Sequence, residues 1–200
     1  MGGIRGGIRG GTPKECFDQF ADHLNRLVQA TLSRKAHLRV ASLENAPRGS
    51  LGWSNDKFLP INTTYGKLYF WLAQSLECSY SPKDPANRRY RLSTREYWYR
   101  LQTTDALDGS SLIRWEYMSP QHERYQGKRW CWRHLQLDAA KDLSGGRMNF
   151  DRLHTPSGYV VIEDVIRFLI HDLRVRAPSK NWHDMLMASD KKFKEEFNRW

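Results

Sequence analysis

The 200 residues of this chain are a length typical of one domain, or of one domain with an appendage. The chain has 32 basic and 22 acidic residues and a formal net charge of +10, which favours acidic partners, most commonly nucleic acid. No apolar run approaches the ~20 residues of a transmembrane helix, and no segment resembles a signal peptide. We therefore expect a cytoplasmic protein without membrane contact.

The cysteines are sparse and unclustered. There are three, Cys16, Cys78 and Cys131, and an odd, scattered set argues against a disulfide framework and against a zinc site. The sequence also lacks a Walker A loop and a Gly-x-Gly-x-x-Gly motif after a strand. We therefore expect neither a metal nor a cofactor.

The first eleven residues repeat Gly-Gly-Ile-Arg twice and then add Gly-Gly. Glycine at this density is too costly in conformational entropy to hold a fold. We expect residues 1–11 to be a flexible Gly/Arg tail and residues 12–200 to be a single α+β domain. The alternative is a short Arg-Gly arm that lies on phosphates.

A helix begins at residue 12. Thr12 can cap it, Pro13 suits its first position and Glu15 completes a capping box, and apolar residues then recur at helical spacing to about residue 34. Residues 36–43 alternate weakly and predict a strand, whereas we expect a loop at 45–50 and irregular structure at 51–66. Residues 68–80 place apolar side chains at every second position, which favours a strand over a helix.

Three strand-like runs, over residues 90–102, 112–118 and 129–138, interleave aromatic residues with arginines. In the second run, Ile113, Trp115 and Tyr117 fall on one face, and Arg114 and Glu116 fall on the other. Short polar connections between the runs indicate an antiparallel meander.

Two amphipathic helices are predicted at the end of the chain, over residues 161–175 and from about residue 178 onwards. The order of helix, strands and two helices indicates an α+β fold. We expect an antiparallel sheet of about four to six strands, packed by an N-terminal helix and two C-terminal helices.

The arginines and tryptophans of the strands predict a nucleic-acid-binding face. Bases stack on aromatic rings with about 1–3 kcal/mol each, and arginine both neutralises phosphate and stacks. Aromatic sheet faces are an established way to hold single-stranded RNA, so RNA is the favoured partner. The alternative is that the tryptophans belong to the core. The candidate residues are Arg91, Arg95, Arg100, Arg114, Trp115, Arg129, Trp130, Trp132 and Arg133.

Two histidines are candidates for catalysis. His134 shares a predicted strand face with Trp132, and His154 lies in a turn before the helix at 161–175. Two histidines suit metal-free RNA cleavage, because one accepts a proton while the other donates one. We therefore predict His134 and His154 as a catalytic pair, provided that both rings reach one phosphodiester. The alternative is that both are structural, His134 as a hydrogen-bonded residue and His154 as part of an ordinary turn.

One part of the chain resembles a known class of proteins. The segment Trp132-Arg133-His134-Leu135-Gln136-Leu137, the turn at 153–158 and the apolar helix at 162–170 resemble the closing part of a group of uncharacterised bacterial proteins. Their layout is similar to the TumE-type toxins of toxin–antitoxin modules, and the similarity covers residues 90–174. It implies a prokaryotic toxin- or defence-type protein, encoded beside a DNA-binding antitoxin, with RNA as its target and with His134 and His154 as the site residues.

A function without catalysis is the main rival interpretation. The same sheet face would then belong to a nucleic-acid-binding or protein-interaction subunit of a larger assembly. Salt dependence separates these interpretations, because counterion release weakens nucleic-acid binding steeply with salt and an apolar subunit interface lacks this effect.

Overall fold

The computed structural model describes residues 8–42, 46–106, 111–119, 133–137, 155–156 and 158–197. The described residues form an antiparallel sheet and three helices, which confirms the predicted α+β class. The helices are α1 (Pro13–Thr31), α2 (Ile162–His171) and α3 (Trp182–Phe197). The strands are β1 (Arg9–Gly10), β2 (Leu38–Ser42), β3 (Arg48–Trp53), β4 (Leu59–Thr63), β5 (Gly66–Tyr80), β6 (Tyr90–Gln102), β7 (Ser111–Met118), β8 (Arg133–Leu137) and β9 (Thr155–Pro156).

The sheet has the strand order β2-β3-β5-β6-β7-β8-β9, with β4 also on β5 and β1 also on β6. Its centre is the pair of long strands β5 and β6, which are in register from Tyr69–Gln102 to Tyr80–Tyr90. The register shifts between Ser75 and Leu76, opposite the bulged residue Arg95. The described part of the sheet thus contains nine strands, more than the four to six expected from the sequence.

The core lies on one face of this sheet: α1 and α2 pack on that face, and α3 packs on α1 and α2. The first helix begins as the sequence predicts, because the Thr12 side chain accepts a hydrogen bond from the Glu15 amide at 3.2 Å. Before α2, the Val160 amide donates to the Tyr97 hydroxyl of β6 at 2.9 Å. In α2, Ile166 is fully buried. None of the described helices has the length and apolarity needed to span a membrane.

Among the strands that the sequence prediction missed are β3 and β4. β3 and β4 fall on residues that we expected to be loop or irregular. Both pair with the same edge of β5, β3 along its second half and β4 along its first. The edge of a long buried strand supplies hydrogen-bond partners to segments whose own residues favour strand only weakly. By contrast, the strand predicted over residues 68–80 is confirmed as β5.

The predicted flexible tail is partly wrong. Residues 9–10 form β1 opposite Arg91 and Tyr90, and Ile8 is only 3% exposed. The Leu92 amide donates to the Ile8 carbonyl at 3.1 Å, and Arg9 forms an ion pair with Asp84 at 2.9 Å. Hydrogen bonds to β6 and the burial of Ile8 offset the entropy that glycine adds. Residues 1–7 lie outside the described residues.

We expect Ile8→Ala to lower the free energy of unfolding by about 2 kcal/mol, because it removes a buried aliphatic side chain next to the core. Tyr65→Ala is the control, since Tyr65 is 75% exposed, and its effect should stay within about 0.5 kcal/mol. Urea unfolding monitored by circular dichroism measures both. Equal stabilities of the Ile8→Ala variant and the wild type would show that the segment before α1 does not pack on the sheet.

Candidate nucleic-acid interface

The sheet has one face that the described helices leave uncovered. Along β5, residues at even positions from Leu68 to Cys78 are buried beneath the helices, and those between them are half-buried. We call this second side the open face, and strand pairing assigns residues of the neighbouring strands to it. It includes Arg39, Arg48, Lys67, Tyr69, Trp71, Glu77, Arg91, Glu96, Trp98, Arg100, Arg114 and Glu116.

One row of residues crosses four strands of the open face: Trp71, Arg100, Arg114 and Gln136 are successive cross-strand partners. Arg100 and Arg114 therefore stand directly opposite each other, and like charges in this position repel. The Arg114 guanidinium donates to the Gln136 amide oxygen and lies 3.7 Å from the Glu116 carboxylate. This row contains more positive charge than its single acidic neighbour balances.

Arg100 has no counterion in the described part of the chain. Its Nε is buried and donates to no acceptor among the described residues, and no described carboxylate makes an ion pair with it. A buried N–H without an acceptor costs about 1–3 kcal/mol. Arg100 is therefore the described arginine of the open face that is best placed to take an anion.

The neighbouring row consists of Ala73, Trp98, Glu116 and His134. The half-buried Trp98 is two residues from Arg100 along β6, a distance of about 7 Å on one strand face. Trp71 is the direct cross-strand partner of Arg100 and contacts Phe58 at a ring distance of 5.2 Å. Arg100 therefore has one tryptophan on the neighbouring strand and another two residues away on its own strand.

Three further arginines of the sheet form ion pairs with acids. Arg48 and Arg95 both contact the Glu77 carboxylate, at 3.2 and 3.5 Å, and Arg39 pairs with Asp56 at 2.8 Å. The side chain of Arg95 is only 9% exposed, so this predicted ligand of nucleic acid is a buried ion-pair partner. Arg91 is half-buried in β6, opposite Arg9 and Ser79.

Trp115 does not belong to the open face. It is 8% exposed on the helix-covered side, where its ring meets Phe168 of α2 edge-on at 5.7 Å. Its cross-strand partners Tyr99 and Leu135 lie on the same side. Trp115 is therefore a core residue, and its prediction as a base-stacking residue is corrected.

The other predicted residues lie at or beyond the limits of the described structure. Arg129, Trp130, Trp132 and His154 are outside the described residues, and for Arg133 and His134 only the backbone is described. The register places His134 opposite Glu116 and Pro156, on the row of Trp98. Strand β9, which pairs with β8, begins directly after His154. The catalytic pair remains a prediction.

Sequence reasoning missed several residues of the open face, among them Arg39, Arg48, Trp71 and Trp98. Trp98 has the same strand parity as Arg100, which could have identified it. Trp71 has the strand parity opposite to that of the apolar residues Phe70 and Leu72, which could have placed it on the other face of the strand. Nothing in either pattern tells which face the helices cover.

Comparisons of the chain with protein-family models, curated proteins and solved structures gave no match. The similarity to TumE-type toxins therefore stays a prediction. Among the described residues, no three His, Cys, Asp or Glu side chains are grouped so that they could hold a metal ion.

We expect Arg100→Met to raise the free energy of unfolding by about 0.5 kcal/mol at low salt, because it removes one of two opposed like charges and keeps the aliphatic stem. Arg100→Lys is the matched control that retains the charge, and it should not be stabilising. The gain should shrink towards ~1 M salt, where the screening length is about 3 Å. Urea titrations at both salt concentrations measure it. A less stable Met variant than Lys variant at low salt would contradict the repulsion.

Proposed function

We propose that the open face binds single-stranded RNA. The observation that carries this proposal is the opposed pair of Arg100 and Arg114, with Trp71 and Trp98 beside it. Adjacent strands are about 4.8 Å apart, so both guanidinium groups are within reach of one phosphate. A phosphate between them replaces repulsion by two charge-assisted hydrogen bonds.

The aromatic residues of the open face favour single-stranded over double-stranded RNA as the ligand. Unpaired bases expose a ring face that stacks on aromatic side chains, and this contact tolerates any base. Trp98 and Tyr69 are half-buried, with part of each ring at the surface. Tryptophans next to an arginine pair therefore fit a ligand that carries both bases and phosphates.

The charge of the chain is consistent with this partner. The residues named above for the open face include six basic side chains and three acidic ones, in a chain of net charge +10. Such a surface attracts a polyanion over distances up to the screening length of about 8 Å at physiological salt. A protein subunit, such as the antitoxin that the resemblance implies, is the rival occupant.

A second candidate function is metal-free cleavage of the bound RNA. The observation that favours it is the register, which places His134 opposite Glu116 on the row of Trp98. An imidazole there would be next to the bound strand and beside a carboxylate that orients it. His154 is the proposed second proton donor. A toxin or defence role in a prokaryote would follow from such an activity.

We expect RNA affinity to fall steeply with salt and Arg100→Met to reduce the slope of log K against log salt by about 0.7, the value for one phosphate contact with a single strand. Trp98→Ala should weaken binding by about 1–3 kcal/mol at unchanged slope, because it removes stacking and not charge. The exposed Arg176, next to α2, provides the control Arg176→Gln, which should leave both unchanged. Fluorescence anisotropy of a labelled single-stranded RNA, with DNA of the same sequence in parallel, measures these values.

No RNA binding at low salt would contradict the proposal and would make a protein the favoured partner of the open face. If Arg176→Gln and Arg100→Met reduced the slope of log K against log salt equally, RNA would bind to the basic surface in general and not to a defined site.

We expect His134→Ala to abolish RNA cleavage while RNA affinity changes less than about threefold, because removal of a proton-transfer group lowers turnover and not binding. Gels of the anisotropy samples measure cleavage, and His183→Ala is the control, since His183 is on the exposed side of α3. Cleavage that persists in both the His134→Ala and the His154→Ala variants would end the ribonuclease hypothesis and leave RNA binding untouched.

A further inference from the structure

A carboxylate is buried on the covered side of the sheet without a cation. Glu163, in the first turn of α2, is 1% exposed. It accepts a hydrogen bond from the Ser189 hydroxyl of α3, and His23 of α1 contacts the same hydroxyl at 2.8 Å. No Lys or Arg of the described chain makes an ion pair with it. Desolvation raises the pKa of Glu163, as expected for a buried acid without a countercharge.

This carboxylate borders a cavity between the helices and the sheet. The cavity has a volume of about 50 Å³ and is lined by Gln74, Tyr99, Tyr159 and Glu163 together with apolar side chains. Ser93 and Thr94 of β6 also line it. A water molecule needs about 10–15 Å³ by this measure, so the space fits roughly three or four non-hydrogen atoms.

A second acceptor without a partner lines the same cavity. Gln74 is 5% exposed, and its amide nitrogen donates to the Tyr99 hydroxyl at 2.7 Å. Its buried amide oxygen accepts no hydrogen bond from any described residue. Buried polar atoms of this kind are rare and costly, and this one lines the same cavity as a carboxylate that has no cation among the described residues. The cavity therefore offers acceptors and requires a donor.

We propose that this cavity binds a small primary alkylammonium ion. The ammonium group supplies the missing cation to Glu163 and donates an N–H to the Gln74 amide oxygen. The rings of Tyr99 and Tyr159 give the cation the negative face of an aromatic quadrupole, and the apolar lining accepts a short alkyl chain. This site is on the opposite side of the sheet from the open face and does not depend on the proposed RNA binding.

Ethylammonium is the probe that tests the proposal, because its three non-hydrogen atoms match the cavity, and ethanol is the neutral control of equal size. NMR titrations of protein with labelled tyrosine rings, at constant ionic strength, report on the site. The rings are assigned with Tyr99→Phe and Tyr159→Phe variants. We expect saturable shifts of the Tyr99 and Tyr159 signals with ethylammonium, with a Kd on the order of 1 mM, and none with ethanol.

Two variants test the residues of the site. Glu163→Gln keeps an acceptor for Ser189 and removes the charge, and Gln74→Met keeps the volume and removes the acceptor. Each should raise the Kd at least about tenfold, as expected for loss of a charged or buried hydrogen-bond partner. Glu77→Gln, on the open face, should leave the Kd unchanged.

Several results would overturn the proposal. Shifts that do not saturate, that occur equally with ethanol, or that persist at the same Kd in Glu163→Gln would each show that the cavity does not select a cation. The ethanol comparison uses only the wild type, so it decides the question even where a variant fails to fold.

Discussion

The pairing of β5 with β6 is the contact on which the other elements depend. It comprises twelve register pairs and one bulge, and every other strand attaches directly or through neighbours to one of its two outer edges. Side chains alternate between the two faces of this ribbon, and the helices bury only one of them. This one register therefore places Leu72 and Tyr99 on the covered face. It also places Trp71 and Arg100 on the open face.

This one-sided packing gives the two faces different chemistry. The covered face excludes water but contains a few polar groups, among them Gln74 and Glu163. Their burial without a hydrogen-bond or charge partner lowers stability unless a ligand supplies that partner. The open face contains more charged side chains, and because the Arg114 side chain is 31% exposed, solvent partly screens its repulsion with Arg100. Residues that lower stability in the free protein and gain a partner in the complex are typical of binding surfaces.

The sequence was sufficient for elements whose pattern is local. The capping box at Thr12 and the period of residues 68–80 gave α1 and β5, and strand alternation correctly separated Arg114 from Trp115. The alternation does not tell which of the two faces the helices cover, because this depends on tertiary packing. Trp115 was therefore predicted to bind RNA, although it is buried against Phe168. β3 and β1 were missed because their Gly-rich segments become strands only through the edges of β5 and β6.

Ultraviolet crosslinking of the wild-type protein to a short single-stranded RNA, with mass-spectrometric mapping of the crosslinked residues, tests the central claim most directly. The account predicts crosslinks in the strands of the open face, at Tyr69, Trp71 or Trp98, and none at Trp182 in α3, which belongs to the helical layer. Crosslinks confined to the helices, with the open-face aromatics unmodified, would contradict it and would place RNA on the opposite side of the sheet.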